Sequence, residues 1–212
     1  MTIVEKYVSG LKKAYLDNNA KQAWAHFERI KHGAKKEDIG KIKEEYPSVP
    51  DSFLGLLEYV DGTYWREYQG EEVAFYFLGS DVDEYEYPYY LFSSEEVLKN
   101  KELSVAGMLS DYIGWLEESG VAADNKITNN AATAEWLCFS NCMNNGGTSQ
   151  LFVDFTPSAS GKVGQVIRFL HDPDEFKVIA DSFDDYLEML IDNGYAFINE
   201  DTVFDLDVSI DG

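Results

Sequence analysis

A chain of 212 residues, 45% hydrophobic and 15% aromatic, is long enough to bury a sizeable core. Its formal net charge of −22 repels nucleic acid and anionic lipid, and neither is expected as a partner. No run approaches the ~20 apolar residues that a membrane helix needs. The start, MTIVEKYVSGLKKAYLDNN, intersperses charges among its apolar residues, unlike a signal peptide. The expected setting is the cytoplasm, where Cys138 and Cys142 remain free thiols.

The charge is uneven. Residues 1–45 hold ten Lys or Arg against seven Asp or Glu, whereas residues 46–212 hold seven against thirty-two. Such a field attracts basic proteins at long range. The plain alternative is that the acids serve solubility.

In chain order, Val4, Val8, Leu11 and Tyr15 recur at helical spacing, and Trp24, Phe27 and Ile30 form a second amphipathic run that ends near His32-Gly33, a candidate C-cap. A third short helix spans 35–45. Pro47 and Pro50 then fix an extended stretch, and Asp51 or Ser52 can cap a helix over 53–60 with Phe53, Leu56, Leu57 and Val60 as its stripe. Asp61-Gly62 ends it in a tight turn. EVAFYFL (72–78) reads as a strand, and DVDEYEYPYYLF as an acidic, aromatic loop that returns into a short strand. SSEEVL opens a helix with a Ser cap. Residues 104–119 read as another helix and 120–134 as a loop. WLCFS, SQLFVDF and VGQVIRFL are strands, the first two joined by a hairpin turn at 144–147, and KVIA is a fourth. DSFDDYLEMLIDNG is a helix capped by Asp181 or Ser182 and stopped by Gly194. Its stripe is Phe183, Tyr186, Leu187, Leu190 and Ile191. The order of elements predicts an α+β fold: one domain, a mainly antiparallel central sheet over 72–180, and helices covering one face.

Two segments in this order resemble the SMI1/KNR4 family of the SUKH superfamily. One is EEYPSVPDSFLGLLEYVDGT, an acidic helix end, a proline-containing approach, a helix and an Asp-Gly turn. The other runs from Trp136 to Gly194 through Asp154, Pro157, GQVIRFLH and ADSFDDYLEMLIDNG. The resemblance implies a helical N-terminal extension (1–36), an SMI1/KNR4-like domain (37–195) and an acidic C-terminal tail (196–212). It further implies a bacterial immunity protein that binds and neutralises a cognate toxin, or, as in fungal relatives, a regulatory scaffold. Asp61, Gly62, Trp136, Asp154, Gly164, Asp181, Ser182 and Phe183 match the family pattern at positions whose residue types suit turns, caps and core.

Catalysis finds little support. No G-x-S-x-G or phosphate-loop pattern occurs, and His171 with Asp172 and Asp174 reads as a polar turn before a metal site. No cofactor or metal is expected, and a hydrolase stands as the third alternative. Binding is better served. Asp81, Asp83, Glu84, Tyr85, Glu86, Tyr87 and Tyr89 set carboxylates beside tyrosines, as a surface for a basic toxin, for example a nuclease, would need. Trp65, Arg66 and Tyr68 extend this surface unless they pack inward, the expectation for Trp65.

Overall fold

The computed structural model describes residues 1–82, 88–100, 123–130, 133–144, 147–170 and 174–203. Helix α1 (Ile3–Asp17) starts at a capping box in which Thr2 Oγ1 accepts from Glu5 N and Glu5 Oε2 accepts from Thr2 N. Its buried stripe is Tyr7, Leu11, Ala14 and Tyr15, with Val4 and Val8 at the margin. Helix α2 (Lys21–Ile30) buries Trp24, Phe27 and Ile30. It ends at Lys31, so Gly33 is not its cap. A Cβ on Gly33 would fall 1.9 Å from Glu58 O, and the residue lets the chain pass against α4. Helix α3 (Lys36–Glu45) follows. Helix α4 (Asp51–Tyr59) begins two residues earlier than expected, with Pro50 as N-cap and no side-chain cap bond.

Strands β3 (Tyr90–Leu91), β4 (Trp136–Asn144), β5 (Gly147–Asp154), β6 (Gln165–Leu170) and β7 (Glu175–Ala180) form a five-stranded sheet in that order, every pair antiparallel. Asn144 pairs with Gly147, as a hairpin there requires. The expected strand 72–78 is not part of this sheet. Glu71–Val73 (β2) pairs instead with Arg66–Tyr68 (β1) in a separate ribbon. Farther along, Phe75 N donates to Thr63 O, and Leu78 and Tyr89 exchange main-chain bonds as an isolated bridge.

Helix α5 (Phe183–Asp192) is capped by Ser182, which accepts from Asp185 N, and the chain turns at Gly194 with φ +66°. Phe183 and Tyr186 meet Phe139 of β4, and Phe53 of α4 meets both Phe139 and Phe183. The sheet is nonetheless buried on both faces, not one. Leu151, Phe152, Val153 and Asp154 are consecutive on β5 and all buried, and successive strand residues face opposite ways. The continuous apolar runs of β4 to β6 are what two-sided burial requires.

The N-terminal helices share this core. Tyr7 Oη donates to Phe77 O (2.6 Å), Tyr15 Oη to Tyr76 O (2.7 Å), and Tyr15 stacks on Phe75. From beyond α5, Tyr195 Oη donates to Tyr7 O, and Phe197 and Ile198 are buried. Residues 101–122, including the expected helix 104–119, lie outside the described residues, as do 204–212 of the tail. Among the described residues no helix is long and apolar enough to cross a membrane.

Candidate partner-binding surface

The turn that ends α4 organises one end of the molecule. Asp61 is buried: its N donates to His32 O, its Oδ1 accepts from Ser94 N (2.8 Å), and its Oδ2 accepts from Arg66 Nη2 (2.9 Å). Gly62 has φ +89°, and a Cβ there would lie 2.6 Å from Ser93 N. Thr63 exchanges bonds with Leu91, through its N to Leu91 O and its Oγ1 from Leu91 N. Three elements thus meet on three residues. Asp154, the last residue of β5, plays a similar part, accepting from Thr156 N and Gln165 Nε2 while its carbonyl accepts from Gly164 N. Asp181 joins Lys126 and Lys162. These family-pattern residues are occupied in holding the chain together.

From the Asp61 turn the chain enters the β1–β2 ribbon. Gln69 (φ +55°) and Gly70 (φ +84°) give the two positive φ values of a type I′ hairpin turn. EYQGEE carries that signal in its Gly70, which the sequence reading takes as the boundary of the strand over 72–78 and not as a hairpin turn. Tyr68 is buried and donates to Gly62 O (2.6 Å). Trp65 is not core: it is 55% exposed and has φ +47°. Glu67 and Glu72 are exposed and directly opposite each other in the ladder. Glu71 meets Arg29 and His26 of α2. Arg29 Nη2 lies 2.8 Å from His26 Nδ1, and a guanidinium only donates, so the ring proton sits on Nε2, 3.1 Å from Glu71.

Of the residues assigned to partner binding, Asp81 and Tyr89 are described, and Asp83, Glu84, Tyr85, Glu86 and Tyr87 lie outside the described residues. Asp81 is bound to the sheet. It accepts from Arg168 Nε (2.6 Å) on β6 and Lys177 Nζ (2.5 Å) on β7, and Arg168 Nη2 also reaches Glu175 (2.8 Å). Burial alone would raise the Asp81 carboxyl, but the bonds from Arg168 and Lys177 outweigh it and hold it below the usual range. Tyr89 is fully buried. Its exchange with Leu78 turns the side chain into the core, so in this conformation it offers no contact surface.

No catalytic arrangement emerges among the described residues. Cys138 and Cys142 are buried free thiols on β4, each pushed up to about 12 by burial, which suppresses the reactive thiolate. Among the described residues no group of three or more His, Cys, Asp or Glu could hold a metal ion. His171 and Asp172 lie outside the described residues.

The family model of SMI1/KNR4 (SUKH-1) matches residues 33–189, from the approach to α3 into α5. The match takes in the Asp61 turn, the ribbon, the Asp81 ion pairs and the whole five-stranded sheet. No curated protein matches the chain.

Proposed function

Because the chain belongs to the SMI1/KNR4 family (SUKH-1), which includes immunity proteins, we propose that it works by binding a protein partner stoichiometrically, as an immunity protein that neutralises a basic toxin. The observation that carries this reading is the charge. Residues 46–212 carry thirty-two acids against seven bases, while the buried cation of the sheet, Arg168, is already paired with Asp81 and Glu175. The remaining field is available to an outside partner. A nuclease toxin fits it, since a protein that holds phosphates must present positive charge. An acidic surface competes for that same groove.

The contact residues in this proposal are Asp83, Glu84, Tyr85, Glu86 and Tyr87. The described residues on either side of them support it. Leu78 and Tyr89 bridge through their main chains, and Asp81 is clamped to two strands. A segment anchored at both ends loses less freedom on binding than a free one. The experiment is binding kinetics with the C-terminal domain of the protein encoded by the neighbouring gene. Replacing Asp83, Glu84 and Glu86 together by Ala should slow association. Replacing Tyr85 or Tyr87 should speed dissociation, with about 2 kcal/mol lost at an anchor. If all five substitutions leave both rates unchanged, the contact lies elsewhere.

A further inference from the structure

Three locally unfavourable features meet on the β1–β2 ribbon. Trp65 exposes 55% of its surface, although indole is among the side chains with most to gain from burial. It does so at φ +47°, a backbone region that bulky residues avoid. Two residues on, Glu67 stands directly opposite Glu72, and like charges facing each other across a ladder repel. Arg66, between Trp65 and Glu67, does not relieve that repulsion, because its guanidinium is held by buried Asp61. Among the described residues the other cation nearby, Arg29, is taken by Glu71. Among the described residues, neither Glu67 nor Glu72 has an ion pair.

Among the described residues, nothing in the packing requires this arrangement. The ribbon's inward residues, Tyr68 and Val73, are buried and satisfied without it. Unfavourable features that the fold does not need are retained where another molecule uses them. We propose that Trp65, Glu67 and Glu72 form a docking surface for an arginine-bearing segment of a cationic protein. The planar guanidinium stacks on an indole face and is at the same time a fork of donors for two carboxylates. A lysine ammonium satisfies the charge but stacks less well. The net charge of −22 concentrates such a segment near the surface before contact. This inference rests on the protein-binding reading above and names the partner side chain that this patch selects.

The test is titration of the full chain with nona-arginine, nona-lysine and a neutral glycine-serine peptide of equal length, at fixed ionic strength. Trp65→Gly should weaken nona-arginine binding about fivefold and nona-lysine binding less. The same variant should melt no lower than the parent, since Gly accepts φ +47° freely. Glu67→Gln with Glu72→Gln should weaken nona-arginine binding about tenfold. Asp184→Asn with Glu188→Gln, which removes the same charge from the exposed side of α5, should change it less than twofold. Equal losses from the two double variants would reduce the effect to net charge and overturn the proposal. So would unchanged nona-arginine binding, or a lower melting point, for Trp65→Gly. These outcomes are independent of whether the neighbouring gene's product binds, so this patch and the toxin reading can fail separately.

Discussion

Gly62 and Gly70 share a left-handed backbone and differ in their surroundings, which makes them a matched pair for substitution by Ala. Gly70 has φ +84°, and an added Cβ meets nothing within 4 Å. Its only penalty is conformational, about 1–2 kcal/mol. Gly62 has φ +89°, and its Cβ would lie 2.6 Å from Ser93 N and 2.8 Å from Ser93 Cα. Both atoms are backbone, so no side-chain rotation relieves the contact. Moving Ser93 strains the adjacent bonds from Ser94 N to Asp61 Oδ1 and between Thr63 and Leu91. Loss of one such buried bond adds about 1–3 kcal/mol. Gly62→Ala should therefore cost about 2–5 kcal/mol, a large part of a domain's ~5–15 kcal/mol. In urea unfolding followed by circular dichroism, its midpoint should fall by about 1–2 M with an unchanged slope, against about 0.5 M for Gly70→Ala. Equal shifts for the two variants would mean that the Asp61 turn does not seat on Ser93.

Asp81→Asn should destabilise the protein by about 2–3 kcal/mol at neutral pH, because Arg168 is 3% exposed and loses its main counter-ion. The folded-state carboxyl of Asp81 is lowered, so its contribution is complete above the unfolded value of about 3.9 and is lost as pH falls through the folded value. The stability gap between parent and variant, measured by urea titration, should accordingly close below about pH 4. Both thiols should resist a thiol-specific reagent in the native protein and react stoichiometrically in urea, since burial pushes each up to about 12. Fast native labelling at pH 7–8 would contradict their placement.

The last third of the chain was the most legible in sequence, because each apolar run is bounded by polar turns and the runs follow one another as hairpins. Its ends were not. Strand β4 continues through Asn141 to Asn144, and the two asparagines, of low strand propensity, are carried by the ladder with β5. EVAFYFL alternates as a strand should, with Val73, Phe75 and Phe77 buried, yet its main-chain partners are divided among β1, Thr63 and Tyr89. Periodicity reports which side is buried and is silent on which strand lies beside it. The one-sided sheet was a misreading of runs such as LFVD, where every residue is buried. At the candidate surface, Tyr89 and Trp65 exchanged places relative to expectation. A tyrosine in an acidic stretch is drawn inward by its pairing with Leu78, and a tryptophan beside a turn is held out by a backbone angle that composition does not encode.

The proposed mode of action is tight, stoichiometric, charge-steered binding of a basic protein. Its most direct test is to mix the full chain with the purified C-terminal domain of the protein encoded by the neighbouring gene, and to measure stoichiometry by calorimetry and association rates from low to high salt. A one-to-one complex whose association slows steeply as salt rises, and which abolishes the partner's activity, is the predicted result. No complex with that domain, or association indifferent to salt, would contradict it.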